Sequence, residues 1–305
     1  MIIKERQNWF RMLFVWNGSV LPRLMPRLIL LFVLSSVIVY CHGTFFSYKI
    51  PLNPAPFTLF GIALAIFLGF RNTVSYDRFW EGRKIWGALL NDTRSLARQA
   101  ITMSSYAPAS EEITLFISYL VCFTYALKHQ LRHTDAGDDL RKRLPTNIAD
   151  EINRAMYKPI IIMKMMGVWV QKAKEKGNID SIIQTAFDNN LNNLSDIVGG
   201  CERIASTPIP YTYRVLLHRT VYIYGFLLSF GFVDSLGWFT PLIVCFIAYT
   251  FVALEAIADE IEEPFGIESN DLALNTMSKM IETTLLEMAG MPLPNYPAAT
   301  GINLD

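Results

Sequence analysis

Two consecutive stretches without formal charge, each long enough to cross a bilayer as a helix, lie near the N-terminus of this chain. The first runs from Leu28 to Tyr48, and the second follows Lys49 and ends at Phe70; each is 21 residues long. A helix needs about 20 apolar residues to cross the hydrocarbon core of a membrane. A mean hydropathy of +0.28 agrees with that interpretation. The pattern therefore predicts an integral membrane protein, with helices at about 28–48 and 55–75.

Two further apolar stretches lie towards the C-terminal end. After Pro208 and Pro210, one runs from about Tyr213 to Val233, and Asp234 separates it from another at Ser235 to Leu254. Two apolar segments joined by so short a connection predict a membrane hairpin. The chain is therefore expected to have four transmembrane helices.

The region between these two pairs is polar and has a helical pattern. In the segment RFWEGRKIWGALLNDTRSLARQ, apolar residues recur every three or four positions, which is typical of an amphipathic helix. The predicted fold is all-α, with a large cytosolic helical domain beside the four spans. Its predicted parts are an N-terminal segment with the first two spans (1–90), the cytosolic domain (91–206), the last two spans (207–256) and a cytosolic C-terminal segment (257–305).

One uncharged run inside the predicted cytosolic domain is shorter than a span. It covers the 15 residues from Ile113 to Leu127 and is followed at once by Lys128 and His129. Because 15 residues are too few to cross a bilayer, we interpret the run as a helix buried in the core of the domain. A shallow contact with the membrane is the alternative.

Most of the basic residues that flank the predicted spans lie on one side of the membrane, and the other side carries little beyond Lys49 and Asp234. Those on the first side are Arg23 and Arg27 before the first span, Arg71, Arg78, Arg83 and Lys84 after the second, and Arg214 and Arg219 at the third. Because short loops rich in lysine and arginine stay in the cytosol, both termini are expected there.

Several classes of function find no support in the sequence. The 27 basic and 27 acidic residues balance, so no charge excess points to nucleic acid. No phosphate-binding glycine loop, zinc-protease motif or serine nucleophile elbow is present, so neither an enzyme nor a bound cofactor is expected. His129 and His133 have the spacing of a zinc pair, but they lack an evident third ligand and lie beside Lys128 and Arg132. No metal site is predicted.

The second predicted span carries a stripe of large apolar residues. Ile62, Ile66 and Phe70 recur at four-residue spacing and therefore lie along one side of a helix. Around a shared axis, such a stripe would form an apolar constriction that gates ions by dewetting. The pattern alone favours the simpler interpretation, in which these residues face lipid or a neighbouring helix.

Three sequence blocks resemble the bestrophin family, and specifically its bacterial branch. They are FGIALAIFLGFRNTVSYDRFWEGRKIWG at residues 60–87, GGCERIASTPIPYTY at 199–213 and EEPFG at 262–266. Their order and spacing cover most of the chain, so chance agreement at all three is not a reasonable explanation.

The resemblance implies a homopentameric ion channel in a bacterial inner membrane. Family members have a neck lined by three apolar residues of the second helix, and Ile62, Ile66 and Phe70 occupy those positions here. A second constriction, the cytosolic aperture, is formed in bacterial members by an isoleucine of the segment GNIDSIIQ. Ile182 is the candidate, with Ile179 and Ile183 within one helical turn. The family implies passage of chloride and other anions, and its bacterial branch also implies monovalent cations.

The block after the fourth span departs from the animal members of the family. There, a dense acidic run follows the Pro-Phe-Gly motif and binds calcium. Here Gly266 is followed by Ile267, and only Glu268 and Asp271 offer carboxylates nearby. A calcium site needs several hard oxygen ligands, so calcium activation is not expected.

Charged residues at the ends of the second and fourth spans have two interpretations. The acidic residues are Glu255, Asp259, Glu260, Glu262 and Glu263. Five copies of them would form a ring that attracts cations, but a solvated helix with capping and interface charges is the favoured interpretation. Arg71 either influences entering ions or extends to the membrane interface.

Two other functions fit a helical membrane protein of this kind. One is a transporter, and the other is a membrane-anchored signalling scaffold in which the apolar stripe only packs helices. The near absence of charged residues in the middle of the spans weighs against a transporter.

Overall fold

The computed structural model describes residues 8–16, 18–45, 48–49 and 52–296. Its helices are α1 (Trp9–Met12), α2 (Leu21–Tyr40), α3 (Pro54–Met103), α4 (Glu111–Leu131), α5 (Gly137–Arg141), α6 (Thr146–Asn153), α7 (Lys158–Glu175), α8 (Ser181–Ser206), α9 (Tyr211–Leu236), α10 (Thr240–Glu262) and α11 (Leu274–Met288). Two short antiparallel strands, β1 (Thr44–Phe45) and β2 (Tyr48–Lys49), lie between α2 and α3. The helical fold class is therefore confirmed. The outer parts of the predicted terminal segments, 1–7 and 297–305, lie outside the described residues.

Three helical stretches of the described chain are long and apolar enough to cross a membrane. They are Leu21–Tyr40, Ala55–Met103 and Tyr211–Glu262, and the last contains both α9 and α10. The prediction of several membrane-spanning helices thus agrees with the structure, while the arrangement of four spans stays a prediction.

The first apolar helix begins and ends earlier than the predicted 28–48. It starts at Leu21, whose backbone N–H donates to Ser19 Oγ at 3.1 Å, and proline in its first turn is compatible with a helix. It ends at Tyr40, because His42 and Gly43 both adopt positive φ angles. Arginine inside a helix does not end it, so the uncharged run was a poor guide to the boundaries. Residues 46 and 47 of the predicted span lie outside the described residues.

The second apolar helix continues far past its predicted end at about residue 75. α3 is one helix of 50 residues, and no proline follows Pro56 within it. Charged residues such as Arg71 and Asp77 change the surface of a helix without interrupting its backbone hydrogen bonds. The predicted division after residue 90 falls inside this helix.

The predicted break between the last two spans is also displaced. Asp234 lies within α9 and forms an ion pair with Lys49 at 2.8 Å. The helix ends instead at Gly237, whose φ of +51° favours glycine, and a 3-10 turn at Gly237–Phe239 leads into α10. The observed helices extend three residues beyond the predicted end at Val233 and eight beyond the predicted end at Leu254.

The chain divides into two compact units. The first unit consists of Lys4–Phe79 and Pro208–Glu263, and the second consists mainly of Trp80–Thr207 and Pro264–Asp305. The assignment of the first to the membrane and of the second to the cytosol stays a prediction.

The first unit packs α2, α9, α10 and the N-terminal part of α3 around an aliphatic core. Leu24, Leu64, Leu68 and Leu228 are members of this core and are at most 2% exposed. A Cβ atom on Gly61 would lie 2.7 Å from Tyr224 Oη, so a larger residue where α3 meets α9 would displace the Tyr224 hydroxyl.

The second unit is built around α4. Most of this helix is buried, including Phe116, Leu120 and Phe123, each of which is fully inaccessible. The ring of Phe116 packs against Trp169 of α7, with 4.4 Å between their centroids. The interpretation of 113–127 as a buried core helix is therefore confirmed.

Candidate functional site

The stripe of large apolar residues on α3 is exposed in the protomer. Ile62, Ile66 and Phe70 retain 56%, 53% and 63% of their accessible surface. Leu59 is 74% exposed and precedes Ile62 by three residues, which places it on the same side of a helix with 3.6 residues per turn. Leu59 is not part of the four-residue period that defines the other three positions. The exposed stripe therefore extends about one turn further towards the start of α3.

The opposite side of α3 carries the packing contacts of the first unit. Gly61, Leu64, Leu68, Arg71 and Ser75 are all buried and recur at spacings of three and four residues. Because this side is held against the core, the helix has one fixed rotation about its axis. The exposed stripe is consequently presented in a single direction.

Arg71, which directly follows the stripe, is 1% exposed. Its Nη2 atom donates to Asp259 Oδ1 and, at 3.4 Å, to Glu262 Oε2. Its Nε and Nη1 atoms have no hydrogen-bond partner among the described residues. Extension to the membrane interface is therefore wrong for Arg71, because both carboxylates lie inside the unit and hold the guanidinium there.

The two carboxylates that hold Arg71 make further contacts. Glu262 Oε1 accepts from the backbone N–H of Ile209 at 3.2 Å, and the Glu262 carbonyl accepts from Arg78 Nε at 3.0 Å. Asp259 lies 3.3 Å from Arg214 Nε. The network therefore joins α3, α9, α10 and the proline-flanked connection before α9.

Glu255 belongs to a separate pair one turn earlier in α10. Its Oε1 atom lies 2.7 Å from His218 Nδ1 of α9, and its side chain is buried. Glu263 is exposed to solvent, whereas Glu255, Asp259 and Glu262 are all paired with basic residues, so the interpretation as a helix with interface charges holds for these three. These residues are packing and pairing groups, because α9 and α3 bring basic partners to them.

The aperture candidates differ sharply in exposure. Ile182 is 81% exposed, Ile179 is 5% exposed and Ile183 is half-buried. Ile179 precedes α8 and the other two lie in its first turn, where Asp180 Oδ1 accepts from the Ile183 backbone N–H at 2.8 Å and caps the helix. Of the three isoleucines, Ile182 is the most exposed.

The candidate ligands for metal ions have other contacts. Asp271 is buried, and its Oδ2 atom accepts from the Glu268 backbone N–H at 2.7 Å. His129 contacts Thr134 through Nδ1 at 2.6 Å and Asp139 through Nε2 at 2.9 Å. In the part of the chain that the structure describes, no group of three or more potential ligands is arranged around a metal position.

Comparison with known proteins finds the same family throughout. The model of the bacterial and fungal bestrophin family matches residues 1–287. A voltage-dependent anion channel-forming protein of Ralstonia nicotianae is 49% identical over 306 residues and covers 100% of both chains. The corresponding protein YneE of Escherichia coli is 38% identical over 288 residues, which is 94% of each chain.

Solved structures agree with the sequence comparisons. The crystal structure of a bacterial bestrophin homologue from Klebsiella pneumoniae is similar, with a TM-score of 0.83 and 41% sequence identity. The similarity covers 88% of this chain and 99% of that chain. At this identity and coverage, the likeness extends over both units.

Proposed function

The chain belongs to the bacterial and fungal bestrophin family, and on that premise we propose that five copies of it form an ion channel around one central pore. The relatives named above as anion channel-forming proteins support conduction of ions. The same family membership argues for a channel and against an enzyme.

The exposed stripe on α3 is the observation that carries this proposal. A face formed by Ile62, Ile66 and Phe70 cannot remain in water without a large unfavourable hydration term. Five copies of the stripe around an axis would form a narrow apolar neck. Water and hydrated ions are unstable in such a neck until it widens, so it can act as a gate.

The proposed topology has four transmembrane helices. They are α2, the N-terminal part of α3, α9 and α10, and the second unit lies in the cytosol with both termini. The basic residues near the starts of α2 and α9 support this orientation by the positive-inside rule. We assign the protein to the bacterial inner membrane.

The permeant ions are proposed to be monovalent, with anions such as chloride preferred. The neck carries no charge, so residues outside it must set the sign of the permeant ion. Asp259 and Glu262 lie beside Arg71, which directly follows the neck stripe, and Arg71 and Arg214 together compensate their charge. This pairing weakens the attraction for cations that five copies of the acidic segment would otherwise exert. Cation passage, which the bacterial branch implies, is the alternative that a permeability measurement must decide.

Ile182 is proposed to form the second constriction at the cytosolic end of the pore. Its 81% exposure and its place in the capped first turn of α8 support that role. A ring of five such side chains at a rigid helix start would narrow the path without supplying charge.

Reconstitution in liposomes under asymmetric sodium chloride tests the neck and the ion together. The Ile66→Ala variant is expected to increase the current, because the neck becomes wider and wetter. Ile29→Ala on α2 is the matched control, since Ile29 is 56% exposed and Ile66 is 53% exposed. A reversal potential near the chloride equilibrium potential supports anion conduction. One near the sodium equilibrium potential would show that the channel prefers cations. An unchanged current in Ile66→Ala, from intact assemblies, contradicts the proposed neck.

Native mass spectrometry of the purified protein tests the number of copies. A pentamer is the expected species. A monomer or dimer with saturable, coupled flux would instead indicate a transporter, and one with no flux would indicate a membrane-anchored scaffold.

A further inference from the structure

A cavity of about 510 Å³ lies within the first unit between α2, α9 and α10. Its lining is rich in basic side chains, although the chain as a whole has no net charge. The basic residues that line it are Arg23, Arg27, Arg214, His218 and Arg219. Glu255 and Asp259 are the acidic residues of the lining.

Both acidic residues of this cavity already have basic partners. Glu255 lies 2.7 Å from His218 Nδ1, and Asp259 pairs with Arg71, which lies outside the cavity lining, as well as with Arg214 at 3.3 Å. These pairs therefore compensate most of the negative charge in the cavity lining.

The remaining arginines leave the cavity with uncompensated positive charge. Arg27 Nη1 donates to the neutral hydroxyl of Tyr222 at 2.8 Å. Neither Arg23 nor Arg219 has an ion-pair partner within the described residues. α2 and α9 also both begin close to this cavity, and the N-terminal end of a helix carries partial positive charge. The cavity thus has the electrostatics of an anion site.

The surroundings of the cavity favour an amphiphilic anion over a free one. Apolar residues, including Leu24, Val252 and Ala256, form part of its lining and are buried. Further along the side of α2 that carries Arg23 and Arg27, the surface becomes apolar and exposed, with Leu30 at 61% and Leu34 at 40%. A charged cavity that adjoins an exposed apolar helix surface matches a phospholipid, whose headgroup and acyl chains need these two environments.

We propose that this cavity binds the phosphate group of an anionic membrane phospholipid, with Arg23 and Arg219 as its principal contacts. The planar guanidinium of arginine presents paired N–H donors that fit phosphate oxygens. The acyl chains would lie along the exposed apolar side of α2. A phospholipid headgroup and a free phosphate ion would both be recognised through phosphate oxygens. The adjoining apolar surface favours the phospholipid.

This inference rests on the proposed membrane location of the first unit, but it does not require the protein to conduct ions. Lipid binding and current are separate measurements. Loss of lipid binding in a conducting protein would overturn only this inference, whereas absence of current with intact lipid binding would overturn only the proposed channel.

Native mass spectrometry of the full-length protein in detergent provides the test. The protein is titrated with phosphatidylglycerol, with phosphatidylcholine of the same acyl chains, and with inorganic phosphate. The double variant Arg23→Gln/Arg219→Gln removes the two arginines that lack ion-pair partners in the described chain. Arg98→Gln, at an exposed arginine of the second unit, removes one charge elsewhere.

The wild-type protein is expected to prefer phosphatidylglycerol. The double variant should lose about twenty-five-fold in affinity for it, since each arginine near an anionic headgroup contributes about fivefold. Arg98→Gln should bind as the wild type does. The double variant Arg23→Lys/Arg219→Lys keeps both charges but not the paired donors, so it should bind more tightly than the glutamine variant and less tightly than the wild type, which separates loss of charge from loss of fold.

Three results would overturn the inference. One is equal binding of phosphatidylcholine and phosphatidylglycerol, and another is an unchanged affinity in the double glutamine variant. The third is inorganic phosphate that binds with the same dependence on Arg23 and Arg219 while phosphatidylglycerol does not bind, which would assign the cavity to a free phosphate anion.

Discussion

The two units of this protein distribute their apolar side chains in opposite ways. In the first unit, large apolar residues such as Leu59, Ile66 and Phe70 are more than half exposed, while Arg71 is almost completely buried. In the second unit, Trp86 and Leu89 are fully inaccessible. The difference indicates that the exposed apolar surface of the first unit needs lipid or other copies of the chain, whereas the second unit buries many more of its large apolar residues and leaves fewer exposed, such as Ile182.

α3 shows the change within a single helix. Before Phe79, the buried residues of α3 lie along one side of the helix. After Trp80, the buried residues include Leu89, Leu96 and Ala100, which are fully inaccessible. Both parts have the same backbone conformation. Neighbouring elements, and not helix formation itself, therefore decide which apolar residues of α3 need an external partner.

Each unit also pairs an arginine with two carboxylates, but Arg71 is buried and Arg143 is half-buried, and the two differ in how completely they are paired. In the second unit, Arg143 donates from Nε and Nη2 to the two carboxylate oxygens of Glu282, at 2.7 and 2.8 Å, and from Nη1 to Asp139. Arg71 engages both of its carboxylates through Nη2. The Arg143 cluster is closed, because all three nitrogens of its guanidinium donate to carboxylate oxygens, whereas Arg71 reaches both of its carboxylates through one nitrogen.

The largest effect is expected from Arg71→Ala. Removal of one partner of a buried ion pair leaves uncompensated charge, so the free energy of unfolding should fall by about 3–5 kcal/mol. Denaturation of the purified protein in detergent measures this loss. Arg98→Ala, at an exposed position, should change it by less than about 0.5 kcal/mol. Equal losses in the two variants would show that Arg71 is not the buried centre of a charge network.

A pair of leucine variants on α3 tests the contrast between its two parts. Leu89→Ala should lower the free energy of unfolding by about 2–5 kcal/mol, because it opens a cavity in a fully buried site. Leu59→Ala should lower it by less than about 0.5 kcal/mol, because Leu59 is 74% exposed. The same denaturation series measures both variants. A similar loss at Leu59 would mean that other copies of the chain bury it.

A smaller effect is expected from Glu282→Gln in the closed cluster of the second unit. This substitution keeps the shape of the side chain and removes its charge, so it should lower the free energy of unfolding by about 1.5–3 kcal/mol. Circular dichroism during thermal unfolding at neutral pH measures the change. An unchanged free energy of unfolding would show that the charge of Glu282 in its paired hydrogen bonds with Arg143 adds no stability.

The same cluster predicts a dependence on acid. Burial raises the pKa of Glu282, but hydrogen bonds from Arg143, Tyr296 and Tyr125 outweigh it and hold that pKa below its ordinary value of 4.5. A carboxylate whose pKa is lowered by folding stabilises the protein above its unfolded pKa, and that contribution is lost as the pH falls through the folded value. Thermal stability should therefore decline as the pH falls below about 4.5. Glu282→Gln should show a shallower decline, and an identical slope would contradict this source of acid sensitivity.

The sequence by itself determined the helical class, the membrane character and the buried core helix at 113–127. These properties follow from local hydropathy and run length, which any short window of the chain displays. The apolar stripe at Ile62, Ile66 and Phe70 was visible for the same reason, because a four-residue period defines one side of a helix. Its role as a pore neck came from the resemblance to a family and stays a prediction.

The tertiary structure alone decided the environment of the charges and the ends of the helices. Arg71 meets Asp259 and Glu262 at separations of 188 and 191 residues along the chain, and no local pattern reports such a pairing. The same holds for the cavity with Arg23 and Arg219, whose members come from helices far apart in sequence. Burial and ion pairing are properties of contacts between distant segments, so they are defined only when the helices pack.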